Sequence, residues 1–249
     1  MTAQKPVHNC QLMVIGAGMA GMAAALFAAR KGLTTVQAGL TGETLYASGL
    51  FDLYGVAHGD ARQLIDDPWQ GLEALKQRHP EHPFCKVTPD QIRCGMAQFA
   101  DFLDRAGQPY TGYPDKNARL ITSVGTIKRT FRVPATMWEG VKALEEKRPC
   151  LIVDIAGLRG FSAVQLVATL KGSWPELTAA TVAIPSEDRL GPKYAEHIAR
   201  GLHIESARRE LAEAIRPHLG RARTVGLPAV LGVQTTDHIH RDLQRMLGV

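Results

Sequence analysis

Residues 11–38 read QLMVIGAGMAGMAAALFAARKGLTTVQA, and this stretch decides the fold. Gln11 to Ile15 is a short apolar run that ends at a glycine, the signature of a buried parallel strand. From Met19 the chain is rich in alanine, the best helix former, until Gly32 supplies a C-terminal stop. Arg30 and Lys31 put positive charge where the helix dipole is negative. Thr34 to Ala38 then reads as a second strand, so the order is strand, helix, strand. Gly16-Ala17-Gly18-Met19-Ala20-Gly21 matches G-x-G-x-x-G where the first strand hands over to the helix, the context that gives this motif its meaning. Gly16 permits the tight turn, Gly18 lets a phosphate approach the backbone, and Gly21 permits close helix–strand packing. The free N–H groups of the helix start, at the positive end of its dipole, then hold the phosphate. A glycine-rich packing turn without ligand is the bland alternative.

The usual pattern has an Asp or Glu about 20 residues further on, holding the ribose of an adenosine. Here the second strand ends Val36-Gln37-Ala38-Gly39, and Glu43 lies beyond the expected place. The missing acid points to FMN, which has no adenosine ribose. The alternative is FAD, with Gln37 or a backbone group at the ribose. An NAD(P)-dependent reductase is a further alternative. The missing acid argues against NAD, and no arginine directly follows the second strand to receive an NADP phosphate.

Outward from this unit, five glycines between Gly39 and Asp60 make a regular element unexpected there. Asp67-Pro68 caps a helix running to about His79, and His79–Phe84 (HPEHPF) is a proline-stiffened loop. Thr88-Pro89-Asp90-Gln91 starts a helix ending at Gly107 in the manner of a capping box. Leu120 to Val133 reads as paired strands around Gly125. Cys150–Ile155, a Gly157/Gly160 turn, a helix to about Lys171 and Thr178–Ile184 repeat the strand–helix–strand order. Helices near Pro192–His203 and Glu205–His218 precede a strand at Arg223–Leu227 and a helix at Thr236–Leu247. The expected class is α/β: an N-terminal Rossmann-like FAD/NAD(P)-binding βαβ unit with a mainly parallel sheet, and a mixed α/β insertion. The expected division is residues 1–60, the βαβ unit with a ring-side loop, and 61–249, with a possible sub-boundary near 134.

The 249 residues carry a net charge of +5, with 45% hydrophobic and 21% charged residues, which predicts a packed core. The mild basic excess suits anionic ligands or surfaces, but no long basic run suggests nucleic acid. Lys128-Arg129, Arg208-Arg209 and Arg221-Ala222-Arg223 read as solvated faces rather than phosphate sites, with a phosphate in a cleft the equal alternative for Lys128 and Arg129. Cys10, Cys85, Cys94 and Cys150 lack CxxC spacing, so an iron–sulfur or zinc site is not expected, and they fit reduced thiols in the cytoplasm. His79-x-x-His82 and His238-x-His240 lack an evident third ligand, so no metal residue is assigned. Asp52 reads as fixing a turn, with contact to a flavin as the alternative. The longest apolar stretch, Met19–Ala29, is too short to cross a bilayer. No nucleophile–base pair stands out, and hydride chemistry carried by a flavin needs none.

VIGAGMAGMAAALFAARKGL (14–33) followed by YASGLFDLYG (46–55) resembles the start of the B subunit of anaerobic glycerol-3-phosphate dehydrogenase. The resemblance continues through HPEHPF, SVGTIKRT (123–130), CLIVDIAGLRGF (150–161), AEHIARGL (195–202) and GLPAVLG (226–232), in that order. It implies a flavoprotein subunit carrying FMN, working beside a larger FAD-containing subunit and an iron–sulfur subunit at the cytoplasmic face of the membrane. It implies oxidation of sn-glycerol 3-phosphate to dihydroxyacetone phosphate, with electrons passed toward quinone. Gly16, Ala17, Gly18, Met19, Ala20 and Gly21 match the flavin-phosphate motif, and Ser48 and Gly49 match the stretch beside the flavin ring. Members of that family are longer, and their C-terminal part returns to complete the flavin domain. The resemblance therefore implies a fragment, a split subunit or a degenerate one. A non-catalytic assembly subunit with a vestigial cofactor site is the corresponding alternative function.

Overall fold

The computed structural model describes residues 9–40, 48–57, 63–184 and 192–249. The chain divides into two compact units, Met1–Leu50 and Phe51–Val249. Phe51 belongs with the second unit because it bridges antiparallel to Arg132. Residues on both sides of position 134 belong to that same unit. The expected loop 39–60 lies partly outside the described residues, Glu43 included.

The first unit is the βαβ element. β1 (Leu12–Ile15) and β2 (Thr35–Ala38) are parallel, with Leu12 opposite Thr35 and Ile15 opposite Ala38. α1 (Met19–Arg30) joins them. Gly32, at φ 77, ends the helix in the left-handed conformation that glycine adopts freely.

In the second unit, α2 (Pro68–Arg78) starts where the Asp67 carboxylate accepts from the N–H groups of Trp69 and Gln70. α3 (Pro89–Arg105) starts at the capping box expected from the sequence, with Thr88 and Gln91 bonded reciprocally. The HPEHPF segment runs into a short 3-10 turn, Pro83–Lys86. Leu53, Leu72, Leu75 and Phe131 form a small core here. β3 (Tyr110–Thr111) pairs antiparallel with β6 (Val133–Pro134), and β4 (Ala118–Ile121) with β5 (Ile127–Thr130). Around Gly125, at φ 84, the β4–β5 hairpin closes as expected.

α4 (Trp138–Glu146), which the sequence pattern does not announce, leads into the main sheet. Next in the chain are β7 (Cys150–Ile155), α5 (Ala163–Leu170), β8 (Leu177–Val182), α6 (Ala195–Gly201), α7 (Glu205–Ile215), β9 (Thr224–Gly226) and α8 (Thr236–Leu247). The three strands are parallel in the order β8-β7-β9. Alternation along β7 sorts the layers, as a period of two requires. Leu151, Val153 and Ile155 pack with Ile198 of α6, Leu211 of α7 and Ile239 of α8. Cys150 and Ile152 face the other way, toward Leu144 of α4 and Leu166 of α5, closed off by the fully buried Trp174. The chain moves from β7 to β8 over one face and returns past β7 to β9 over the other. That reversal keeps both connections right-handed. Among the described residues, no helix is long and apolar enough to cross a membrane.

Candidate functional site

The glycine motif folds into a strand-to-helix turn. Gly16 takes φ 122, and its N–H donates to Ala38 O at 2.8 Å, holding the turn on the end of β2. Gly18 is the N-cap of α1, and the first helical bond runs from Met22 N–H to its carbonyl at 2.9 Å. The N-cap makes no side-chain hydrogen bond and no acid lies in the first turn of α1, so among the described residues of this helix start nothing negative meets the positive dipole end.

The glycines have separate reasons. A Cβ on Gly21 would lie 2.2 Å from Gly16 O, which no packing tolerates. A Cβ on Gly18 would meet nothing within 4 Å, so the backbone there faces open space. Gly39 escaped the sequence reading as a site residue, yet a Cβ on it would stand 2.7 Å from Ala17 N. The glycine just past β2 thus lets the turn seat against the second strand. Gln37, the sequence candidate for the ribose, donates its side-chain N–H to Gly16 O at 2.8 Å and braces the turn from below. Ser48 is exposed, and Gly49 takes φ 67, a conformation that suits its lack of a side chain.

The other constellations resolve into structural roles. Lys128 Nζ lies 2.6 Å from Asp52 Oδ2, so Asp52 is tied to β5. Arg129 Nε lies 2.8 Å from Asp66 Oδ1 with the arginine largely buried. His82 Nδ1 accepts from Phe84 N–H and His79 sits beside Glu81, while no group of three metal-ligating side chains forms among the described residues.

Arg208 overturns its reading as part of a solvated face. It is buried, with Nε and one terminal nitrogen on Asp242 Oδ2 at 3.0 and 2.9 Å and the other terminal nitrogen on Leu202 O and His203 O. It shares the inward face of α7 with Leu211, Ala212 and Ile215, and that helical spacing was the available signal. Cys150 is buried at the start of β7, and desolvation pushes its thiol up to about 12.

The FAD binding domain family model matches residues 11–247. The chain belongs to this family. It is similar to a Vibrio vulnificus protein named as the B subunit of anaerobic glycerol-3-phosphate dehydrogenase, at 29% identity over 90% of this chain and 53% of the relative. A Halobacterium salinarum protein, named as a probable B subunit of the same enzyme, is 30% identical over 89% of this chain and 53% of its own length. A Yersinia enterocolitica B subunit is 29% identical over 89% of this chain and 54% of its own. The chain spans about half the length of the curated relatives it matches. No solved structure matches it.

Family membership speaks for a flavin, and for FAD more directly than for the FMN inferred from the missing acid. The glycine turn fits the phosphate of such a cofactor. Gly18 leaves room above the backbone, and the uncapped start of α1 offers its N–H groups.

Proposed function

We propose that this chain is a flavin-carrying part of a multi-subunit dehydrogenase that oxidises sn-glycerol 3-phosphate to dihydroxyacetone phosphate. The observation that carries the reading is the open, uncapped glycine turn at Gly16–Gly21 in a chain of the FAD binding domain family. The relatives' names supply the substrate and the membership of a complex. The backbone N–H groups at Gly18, Met19 and Ala20 would hold the cofactor's phosphate, with Gly16, Ala17 and Gly21 shaping the turn. Ser48 and Gly49 would run beside the ring. When bound, the flavin supplies the hydride acceptor. The chain's residues bind and orient it, and none is assigned a catalytic role.

FAD is the favoured form because the family is an FAD binding one, and FMN is the alternative because no acid stands at the end of β2, where Gln37 is instead bonded to Gly16 O. The same reading has electrons passing toward quinone at the cytoplasmic face of the membrane, through an FAD-containing and an iron–sulfur subunit. A second reading, an assembly subunit with a vestigial site, is favoured by one observation. Within the βαβ unit, Ile15 is 86% exposed and Met13 49% exposed, so no described element of that unit covers these apolar side chains of β1.

The test is the visible spectrum of the purified protein, with any released cofactor separated by chromatography and glycerol 3-phosphate-dependent dye reduction measured with partner subunits present. Bound FAD, lost in Gly18→Glu, supports the reading, because that carboxylate would fill the phosphate space with like charge. Flavin retained by Gly18→Glu would refute the site, and a colourless folded protein would favour the second reading.

A further inference from the structure

The parallel sheet of the second unit has two different edges. On β8 the residues that reach the surface include Thr178 and Thr181, polar side chains that suit an edge facing water. β9 is different. Along it runs a groove of about 620 Å³, lined by Val225 and Gly226 of β9, by Met137 at the start of α4 and by Leu247 of α8. Among the described residues, β9 has a strand partner on one side only, β7. An apolar groove of this size beside an unpaired row of backbone groups is the geometry that accepts an added strand.

The helices indicate which strand. α8 packs on the same face as α6 and α7, the helices of the preceding connection to β9. A connection over that face to a position beyond β9 continues in the same direction and keeps the right-handed sense. The relatives carry nearly as much length again as the part this chain spans. We infer that the β9 groove is the seat of a fourth strand, parallel to β9, supplied by polypeptide corresponding to the part of the relatives that this chain does not span. The strand would extend the order to β8-β7-β9-strand, satisfy the outer backbone groups of β9, and cover the exposed Met137 and the partly exposed Leu247. The inference uses the second unit alone and is independent of whether flavin binds at the glycine turn.

The experiment places a photo-crosslinking benzoylphenylalanine at either of two rim positions, Ala229 or Gln244, in the native host. Val164, exposed on α5 away from the groove, serves as control. Retained melting behaviour confirms that each variant folds. The expected result is an adduct at a rim position, absent at Val164, whose crosslinked peptide maps to sequence matching the relatives' unspanned part. Amide exchange across Thr224–Leu227 should also slow at least about tenfold in the host-purified protein relative to the chain produced alone. An adduct with a second copy of this chain, an adduct with lipid or another small molecule, or no adduct at both rim positions would each overturn the inference. All of these outcomes can be read whether or not the protein is yellow.

Discussion

Replacing Asp242 with alanine should be among the most damaging single changes in the second unit. The side chains of Arg208 and Asp242 are 6% and 10% exposed, and two guanidinium nitrogens share one carboxylate oxygen at 3.0 and 2.9 Å. Removing the carboxylate leaves a buried cation whose remaining partners are the carbonyls of Leu202 and His203, at 2.8 and 3.0 Å. Stranding one member of a buried pair costs about 3–5 kcal/mol, and the two carbonyls place the expectation near the lower end. For a unit of this size each kcal/mol shifts the melting temperature by about 2–4 °C, so a drop of roughly 6–12 °C is expected. Scanning calorimetry of Asp242→Ala beside Arg209→Ala makes the comparison. Arg209 pairs with Glu205 on the exposed side of the same helix, and its loss should cost under about 0.5 kcal/mol. Arg208→Met combined with Asp242→Leu should recover most of the loss, because replacing both charges removes the stranded one. Equal shifts for Asp242→Ala and Arg209→Ala would refute the reasoning.

Gly21→Ala should abolish flavin binding, because its Cβ would lie 2.2 Å from Gly16 O and the turn would have to open; fluorescence of released flavin is the measure. Thr88→Ala removes the side-chain half of the capping box on α3 and should cost about 1 kcal/mol by urea denaturation. Burial lowers the pKa of His240 below its ordinary 6.5, with Asp237 opposing and Arg241 reinforcing the shift. The unfolded chain then binds the extra proton first, so this residue's contribution to stability is present above about pH 6.5 and is lost as the pH falls below it. Melting curves at stepped pH should show that loss, and His240→Gln should flatten it. Thiol titration at mildly alkaline pH should modify exposed Cys10 and Cys94 in the folded protein but reach buried Cys150 only on denaturation.

Much of this was legible in the sequence because the signals are local. The glycine turn, the Asp67 cap and the Thr88–Gln91 box each rest on a few neighbouring residues, and each formed as read. α4 escaped for the converse reason. Its N-cap is Met137, which makes no side-chain hydrogen bond, and its C-cap is Lys147 at φ 55, where glycine or asparagine is usual. β3 and β6 have two residues each, too few for alternation to show, and depend on partners far along the chain. At the candidate site, the motif glycines were legible, whereas Gly39 and the bracing bond of Gln37 depend on β2 returning beneath the turn. Arg208 shows how a charge can mislead: its position on the inward face of α7 outweighs its residue type.

The register of the parallel sheet also sets an order of folding. The β4–β5 hairpin joins Ile121 to Ile127 across a tight turn and can close as soon as both strands exist, on the microsecond scale of hairpins. β7 is the central strand, yet Cys150 is opposite Leu177 on one side and Thr224 on the other. During synthesis its first flank can pair well before its second, and Leu151, Val153 and Ile155 await the helices that cover them. For that interval the middle of the sheet is an uncovered hydrophobic ribbon, so the passage from β8 to β9 leaves Leu151, Val153 and Ile155 open to aggregation and to capture by chaperones.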